Sequence, residues 1–322
     1  MNTILKVENL YVNNAEVEIL RDISLSIKKG EILGIVGESG SGKSTLIRAL
    51  IQMMENSEYI TNGDIYFKDK SLLNMSSREL RNLKGNEIGV IFQNPGSTLN
   101  PIRKIGNQFV EVLKSHSKIS KKEALNKAKI MLEKVNLKDA ECILHSYPFE
   151  LSGGMKQRVA MALAMIMEPE LLVADEPTSA LDVTVQAQVV KEMMKLRDGF
   201  NTSIIIVTHS MGVVSHMVDK VAVMYAGSII EYGDKEYILK NPKHPYTKAL
   251  INAIPKLDGR VPVGIEGNPP SFKESLDGCR FAPRCKKASI GCRFKEQKLK
   301  HIGSERFIAC TYVEEMEHKQ NE

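Results

Sequence analysis

Gly37-Glu38-Ser39-Gly40-Ser41-Gly42-Lys43-Ser44 decides how the rest of this chain is read. It fits G-x-x-x-x-G-K-S, the pattern of a phosphate-binding loop. Directly before it, Ile32-Leu33-Gly34-Ile35-Val36 is continuously apolar, as a strand covered on both faces must be. Directly after it, Ser44 to Met54 reads as a helix. In that context the glycines let successive N–H groups curl around a phosphate, and the helix N-terminus adds partial positive charge. Lys43 is expected to reach the β- and γ-phosphates and the Ser44 hydroxyl to ligate Mg²⁺. Gly37, Glu38, Ser39, Gly40, Ser41, Gly42 and Thr45 complete the expected ATP contacts. A plain glycine turn with a capping serine lacks this strand-to-helix setting.

Working outward, Ile23, Leu25 and Ile27 alternate with polar residues as in a half-buried strand, and Lys28-Lys29-Gly30 makes a turn. Further apolar strands are predicted at Ile88 to Phe92, Leu171 to Ala174 and Ile204 to Val207, separated by helical stretches. That alternation implies an α/β protein with a mainly parallel sheet. Ala124, Leu125, Ala128, Met131, Leu132 and Val135 recur at helical spacing, so a helical insertion is expected over about 99–164. After Gly233 the chain is punctuated by Pro242, Pro245, Pro255, Pro262, Pro269, Pro270 and Pro283. The expected domains are therefore 1–233 and a loop-rich extension, 234–322.

Leu171-Leu172-Val173-Ala174-Asp175-Glu176 is an apolar strand ending in two carboxylates. Beside a phosphate loop, Asp175 suits a Walker-B role on Mg²⁺, and Glu176 is placed to polarise the attacking water.

The chain has 322 residues, 43% of them hydrophobic and 26% charged, with a net charge of +5. That composition excludes wholesale disorder and a fibrous structure. No apolar run approaches the ~18–20 residues needed to span a bilayer, and Met1-Asn2-Thr3-Ile4 does not open a signal peptide. Any part in moving solutes across a membrane therefore needs other chains. Cys279, Cys285, Cys292 and Cys310 crowd one end, and Cys142 lies elsewhere, read as a small buried apolar residue. From Cys279 to Cys310 nine Lys/Arg face two Glu, which leaves the remaining chain slightly acidic. A generic basic nucleic-acid surface is a poor reading of that balance.

At Leu151-Ser152-Gly153-Gly154-Met155-Lys156-Gln157-Arg158 the sequence resembles the signature of ABC-transporter ATPases. Gln93 resembles their Q-loop glutamine, Ser179-Ala180-Leu181-Asp182 their D-loop, and His209 their switch histidine. The resemblance covers about residues 3–233. It implies a P-loop NTPase core with an antiparallel β subdomain and a helical subdomain, working as a dimer. In such a dimer Ser152, Gly153, Gly154 and Gln157 face the γ-phosphate held by the opposite subunit. It further implies that Gln93 contacts Mg²⁺ and the water, and that His209 orients Glu176. Many relatives stack adenine on an aromatic residue before the second strand. Here Asn13 and Asn14 fall at that register, so Tyr11 is the nearest candidate, or else an ordinary surface tyrosine.

Asn94-Pro95-Gly96-Ser97-Thr98-Leu99-Asn100-Pro101, His244-Pro245-Tyr246-Thr247 and Gly278-Cys279-Arg280-Phe281-Ala282-Pro283-Arg284-Cys285 resemble stretches of oligopeptide/dipeptide importer ATPases. As chemistry, His-Pro-Tyr-Thr is helix-start punctuation with no catalytic role. This narrower resemblance implies an ATP-hydrolysing subunit at the cytoplasmic face of the membrane, held there peripherally. Its partners would be two transmembrane permease subunits, a second and related ATPase subunit, and indirectly an extracytoplasmic solute-binding protein. Nickel or another metal-chelate solute is the alternative cargo. A soluble ABC ATPase acting on nucleic acid or ribosomes is the alternative of another class.

The cysteine spacing C-x5-C-x6-C-x17-C is wider than that of usual zinc pairs. The resemblance to dipeptide importers suggests a [4Fe–4S] cluster on Cys279, Cys285, Cys292 and Cys310, with Zn²⁺, or unmetallated thiols or disulfides, as alternatives. The local positive charge is expected to compensate the cluster and hydrogen-bond its sulfurs.

Overall fold

Apolar periodicity is realised as twelve strands and twelve α-helices among the described residues of the structure, a computed structural model covering 3–179, 181–254, 264–274, 277–303 and 305–313. The strands are β1 (Thr3–Asn14), β2 (Val17–Lys28), β3 (Ile32–Val36), β4 (Glu58–Phe67), β5 (Lys70–Ser71), β6 (Ile88–Ile91), β7 (Leu171–Asp175), β8 (Ser203–Val207), β9 (Lys220–Tyr225), β10 (Ser228–Asp234), β11 (Lys300–His301) and β12 (Phe307–Ile308). The helices are α1 (Lys43–Leu50), α2 (Ser77–Leu83), α3 (Pro95–Thr98), α4 (Ile105–His116), α5 (Lys121–Lys134), α6 (Ala140–His145), α7 (Gly153–Met165), α8 (Val183–Phe200), α9 (Met211–Met217), α10 (Lys235–Lys240), α11 (Pro245–Asn252) and α12 (Gly291–Phe294). They gather into two compact units: Met1–Leu5, Ile27–Ile32 and Phe67–Val207 form one, and Lys6–Ser26, Leu33–Tyr66 and Thr208–Glu322 the other.

In the first unit β6, β7 and β8 form parallel ladders in that order. All five residues of β8 are buried, which is why its sequence is continuously apolar rather than alternating. Gly89 in β6 is required by packing, because a Cβ there would lie 2.4 Å from the Ala164 carbonyl oxygen. The predicted helical insertion is α4 to α7. α5 begins at a capping box in which Ser120 and Glu123 satisfy each other's backbone N–H groups. Of its predicted apolar face, Ala124, Ala128, Met131, Leu132 and Val135 are buried, each large side chain contributing ~1.5–3 kcal/mol. Cys142, expected inside, is exposed on α6. The adjacent Ile143 and Leu144 take the buried face of that short helix instead.

In the second unit β3 pairs parallel with β9, and β9, β10, β12 and β11 continue in that order through antiparallel ladders. The antiparallel edge was not foreseen. Nor was α10 in the segment read as loop-rich, whereas the helix start read at His-Pro-Tyr-Thr is realised as α11. Strands β2, β1 and β4 lie side by side in a second sheet, with Leu10, Val12, Leu20 and Ile23 fully buried.

Candidate active site

The loop 37–44 lies in the second unit, leaving β3 and entering α1. Gly37 has no room for a side chain: a Cβ would meet the Met224 carbonyl oxygen at 2.3 Å. Gly40 and Gly42 take φ of +75° and +96°, the left-handed region that glycine adopts without strain. Lys43 is buried, and its Nζ donates to the carbonyl oxygens of Gly37 at 3.0 Å and Glu38 at 2.7 Å. Ser44 is exposed at the start of α1. Thr45 is buried, and its hydroxyl lies 3.4 Å from Glu58 Oε1 and accepts from Arg48 Nη2 at 3.2 Å. These contacts tie the start of α1 to Arg48 and Glu58. The Arg48 guanidinium in turn holds the Glu58 carboxyl below the ordinary carboxylate range.

Three residues that hold this loop were given no role there from sequence. Tyr246, at the start of α11, accepts a hydrogen bond from the Glu38 N–H at 2.9 Å. Arg284 grips the Glu38 carboxylate with both terminal nitrogens, at 2.7 and 3.0 Å. Gly227, in the β9–β10 turn, donates its N–H to the Ser41 carbonyl at 3.0 Å. The helix-start reading of His244-Pro245-Tyr246 holds locally, since His244 Nδ1 caps α11 by accepting the Tyr246 N–H at 3.0 Å. His209 is exposed between Thr208, whose N–H donates to Ile35 O at 3.2 Å, and α9. Tyr11 is half-buried on β1 among Asp22, Glu296, Glu18 and Arg21, and burial raises its hydroxyl pKa.

The first unit carries the carboxylates. Asp175 ends β7 and Glu176 follows with φ of +45°, its N–H donating to Val207 O at 2.9 Å. Gln93 Nε2 donates to Glu176 Oε2 at 3.2 Å, so the structure brings the predicted base and the predicted Q-loop residue together. The Ser179 N–H and hydroxyl donate to the Glu176 carbonyl at 3.2 and 3.1 Å. Asp182 caps α8 by accepting the N–H groups of Thr184 and Val185. Ala180 lies outside the described residues; Leu181 donates its N–H to Thr178 O at 3.2 Å. Ser152 caps α7 in the same way, through the Met155 N–H, and Gly153 opens the first turn exposed. Gln157 is 2% exposed on α7. Five residues after the cap it has rotated away from the side that Ser152 presents. Arg158, next to it, reaches the buried Glu192 at 3.3 Å and ties α7 to α8.

The four clustered cysteines do converge. Cys279, Cys285, Cys292 and Cys310 line one cavity of about 10 Å³ in the second unit, room for about one water. Burial raises the pKa of Cys279 and Cys310 to about 11, and of Cys285 upward. The donor set suits a soft metal or cluster in kind, but its spacing does not. Among the described residues no three His, Cys, Asp or Glu side chains are arranged to hold a metal ion. The basic residues near the cysteines divide between two uses. Arg284, Arg306 and Lys286 pair with Glu38, Glu231 and Glu266, and Arg280 donates to the Ala226 carbonyl at 2.6 Å. These four cations serve the packing of the extension, whereas the Lys287 N–H donates to Cys285 Sγ at 3.4 Å.

Residues 20–179 match the family described as "ABC transporter", and residues 230–292 match "Oligopeptide/dipeptide transporter, C-terminal region". The oligopeptide transport ATP-binding protein AppD of Bacillus subtilis is 41% identical over 322 residues, 98% of each chain. The chain belongs to the ABC-transporter ATP-binding subunits. OppD of Haemophilus influenzae, an oligopeptide transport ATP-binding protein, is 44% identical over 91% of this chain and 92% of its own. DppD of Lactococcus lactis, a dipeptide transport ATP-binding protein, is 42% identical over 91% and 86%. Among solved structures, the ATP-binding cassette MJ0796, in a dimeric post-hydrolysis state bound to ADP and phosphate, superposes with a TM-score of 0.64. It is 25% identical and covers 72% of this ABC ATPase and 98% of its own chain. CbiO1 of Clostridium perfringens gives 0.65 at 29% identity, covering 75% and 92%. The chain is thus an ATPase that couples ATP hydrolysis to transport. Among the described residues no helix is long and apolar enough to cross a membrane.

Proposed function

We propose that the chain is the ATP-hydrolysing subunit of a peptide importer. Two family regions in one chain, with 41–44% identity to oligopeptide and dipeptide transport ATP-binding proteins, carry this reading. The domains are assigned as ATPase over 1–233, with its helical part at 99–164, and an extension from 234. Within the ATPase, loop residues Gly37 to Ser44 and the start of α1 bind the ATP phosphates, with Lys43 on the β- and γ-phosphates. Ser44, Asp175 and Gln93 are all oxygen donors, the set Mg²⁺ takes; when bound, the ion neutralises phosphate charge. Glu176 accepts the proton of the attacking water, oriented by Gln93 and His209. Tyr11 is the residue offered for adenine. Ser152, Gly153 and Gly154 present a helix N-terminus, with Gln157 on the same helix, to the γ-phosphate of a second ATPase subunit, and residues 179–182 are assigned as the D-loop.

Partner docking is assigned to the first unit. A cavity of about 560 Å³ opens beside Phe92, next to Gln93, and is lined by Leu99, Asn100, Arg103, Gln108 and Glu111. It is open enough to take a helix of a permease subunit at the cytoplasmic face of the membrane. There the ATPase sits peripherally, served by an extracytoplasmic solute-binding protein. Reconstitution with the permeases tests this: peptide with its binding protein is expected to stimulate ATP turnover. Stimulation by a nickel chelate and not by peptide would overturn the peptide assignment.

For the four cysteines we propose a [4Fe–4S] cluster, or Zn²⁺ in its place. The convergence of four thiols on one cavity supports it in donor type, and no step of hydrolysis passes through it. Protein purified without oxygen is expected to contain iron and acid-labile sulfide. Absence of iron, sulfide and zinc together would remove the proposal.

A further inference from the structure

The pattern G-x-x-x-x-G-K-S leaves its second position open, and here that position is tied to residues some two hundred positions further on. Glu38 is held at both its main chain and its side chain. Its N–H donates to the Tyr246 hydroxyl at 2.9 Å, and its carboxylate takes a bidentate pair from Arg284. Charge-assisted two-point contacts of this kind fix orientation as well as distance.

Both partners are themselves immobilised. Arg284 is 4% exposed on its side chain and also donates to the Glu266 carbonyl at 2.9 Å and to the Tyr225 hydroxyl at 3.2 Å. Tyr246 is fully buried, and its ring lies 4.7 Å from that of Tyr225 and 5.3 Å from that of Phe281. Phe281 also meets Tyr225 edge-on at 5.2 Å, in the geometry aromatic rings favour. Burial holds the Tyr246 hydroxyl protonated, so it stays a neutral acceptor for Glu38. A third tie runs through the same segment. Arg280 donates to Ala226 O, and the adjacent Gly227 donates to Ser41 O of the loop. The stretch between Cys279 and Cys285 thus supports the loop directly and through the β9–β10 turn.

We infer that the C-terminal extension sets the geometry of the phosphate loop through Glu38, with Arg284 and Tyr246 as positioning residues for ATP binding. This rests on residues 37–44 being the nucleotide loop, as proposed above. Neither residue is asked to touch ATP. Their contribution is to hold the loop's first residues so that its N–H groups and Lys43 meet the phosphates without reorganisation.

The test uses the full-length chain and compares Arg284→Ala, Arg284→Lys, Tyr246→Phe and Glu38→Gln, with Lys43→Ala as control. Binding of a fluorescent ATP analogue is measured with ATPase KM and kcat. Arg284→Ala is expected to raise KM by about 5–30-fold, as loss of a charged hydrogen-bond pair does, with kcat changed by no more than about twofold. Arg284→Lys is expected to recover part of the affinity, since an ammonium supplies charge without the planar fork. Tyr246→Phe removes one oxygen and leaves the packing intact, so it carries the test if Arg284→Ala does not fold. The double variant Glu38→Gln/Arg284→Ala is expected to bind no worse than either single one, because both remove the same contact. Unchanged KM in Arg284→Ala and Tyr246→Phe, with binding lost in Lys43→Ala, would overturn the positioning role. If Lys43→Ala also bound normally, the nucleotide-loop reading itself would fall.

Discussion

Replacing Glu176 by glutamine isolates one task of the site. The main chain there is held independently of the side chain: the Glu176 N–H donates to Val207 O, and its carbonyl accepts twice from Ser179. Its φ of +45° is imposed by those bonds and is the same for either residue. Gln93 Nε2 donates to Glu176 Oε2 at 3.2 Å, and the oxygen of a glutamine amide can accept the same bond, more weakly than a carboxylate does. The substitution thus removes the proton acceptor and the negative charge while leaving shape and position intact. Loss of a general base lowers kcat by about 10²–10⁴-fold, which is about 3–5 kcal/mol on the barrier. ATP affinity is expected to hold or tighten, because a carboxylate no longer faces the phosphate charges. Steady-state phosphate release by the assembled transporter gives kcat, and equilibrium binding of nucleotide gives the affinity. A kcat within about threefold of the parent, with affinity unchanged, would refute the assignment of Glu176 as the base.

Arg306→Ala leaves Glu231, fully buried and accepting from the Lys243 and His244 N–H groups, without its cation. A loss of about 3–5 kcal/mol in urea unfolding is expected, and under about 1 kcal/mol would contradict the burial argument. Gly37→Ala pushes a methyl group to 2.3 Å from a carbonyl oxygen and is expected to abolish nucleotide binding. Gly153→Ala meets nothing within 4 Å and is expected to fold normally, so any fall in its ATPase rate reports the signature's role across a dimer. Glu58 titrates below its ordinary value of 4.5 because Arg48 bonds its charged form. The stability this gives is present above pH 4.5 and is lost as pH falls through the lower folded value. Melting temperature is therefore expected to drop below pH 4.5, with a shallower slope in Glu58→Gln.

The sequence disclosed those parts whose physics is local. β3 and β8 are continuously apolar because both faces are covered, and the loop between β3 and α1 needs glycine where φ is positive or space is absent. β11 and β12 were invisible for the opposite reason: each is two residues long and exists through its pairing with a neighbour. Cys142 was misplaced because residue type does not specify which face of a short helix is covered. The charge surplus near the cysteines was real, but its partners at 38, 231 and 266 lie far away in sequence. A composition window cannot see them.

That last point bears on how a phosphate loop is specified. Glycines permit the curl of residues 37–42 but do not enforce it, since glycine also enlarges the set of unfolded and misfolded conformations. Something outside the motif must restrict the loop. Gly227 holds Ser41 from one side, and Tyr246 and Arg284 hold Glu38 from the other. The side chain at the open position 38 is what gives Arg284 a purchase, so an alanine there would keep the motif and the Tyr246 contact and lose the Arg284 pair. A sequence pattern can therefore be complete while the loop it names is imperfectly formed. The His-Pro-Tyr-Thr stretch, read from sequence as punctuation, supplies one of the contacts that complete it.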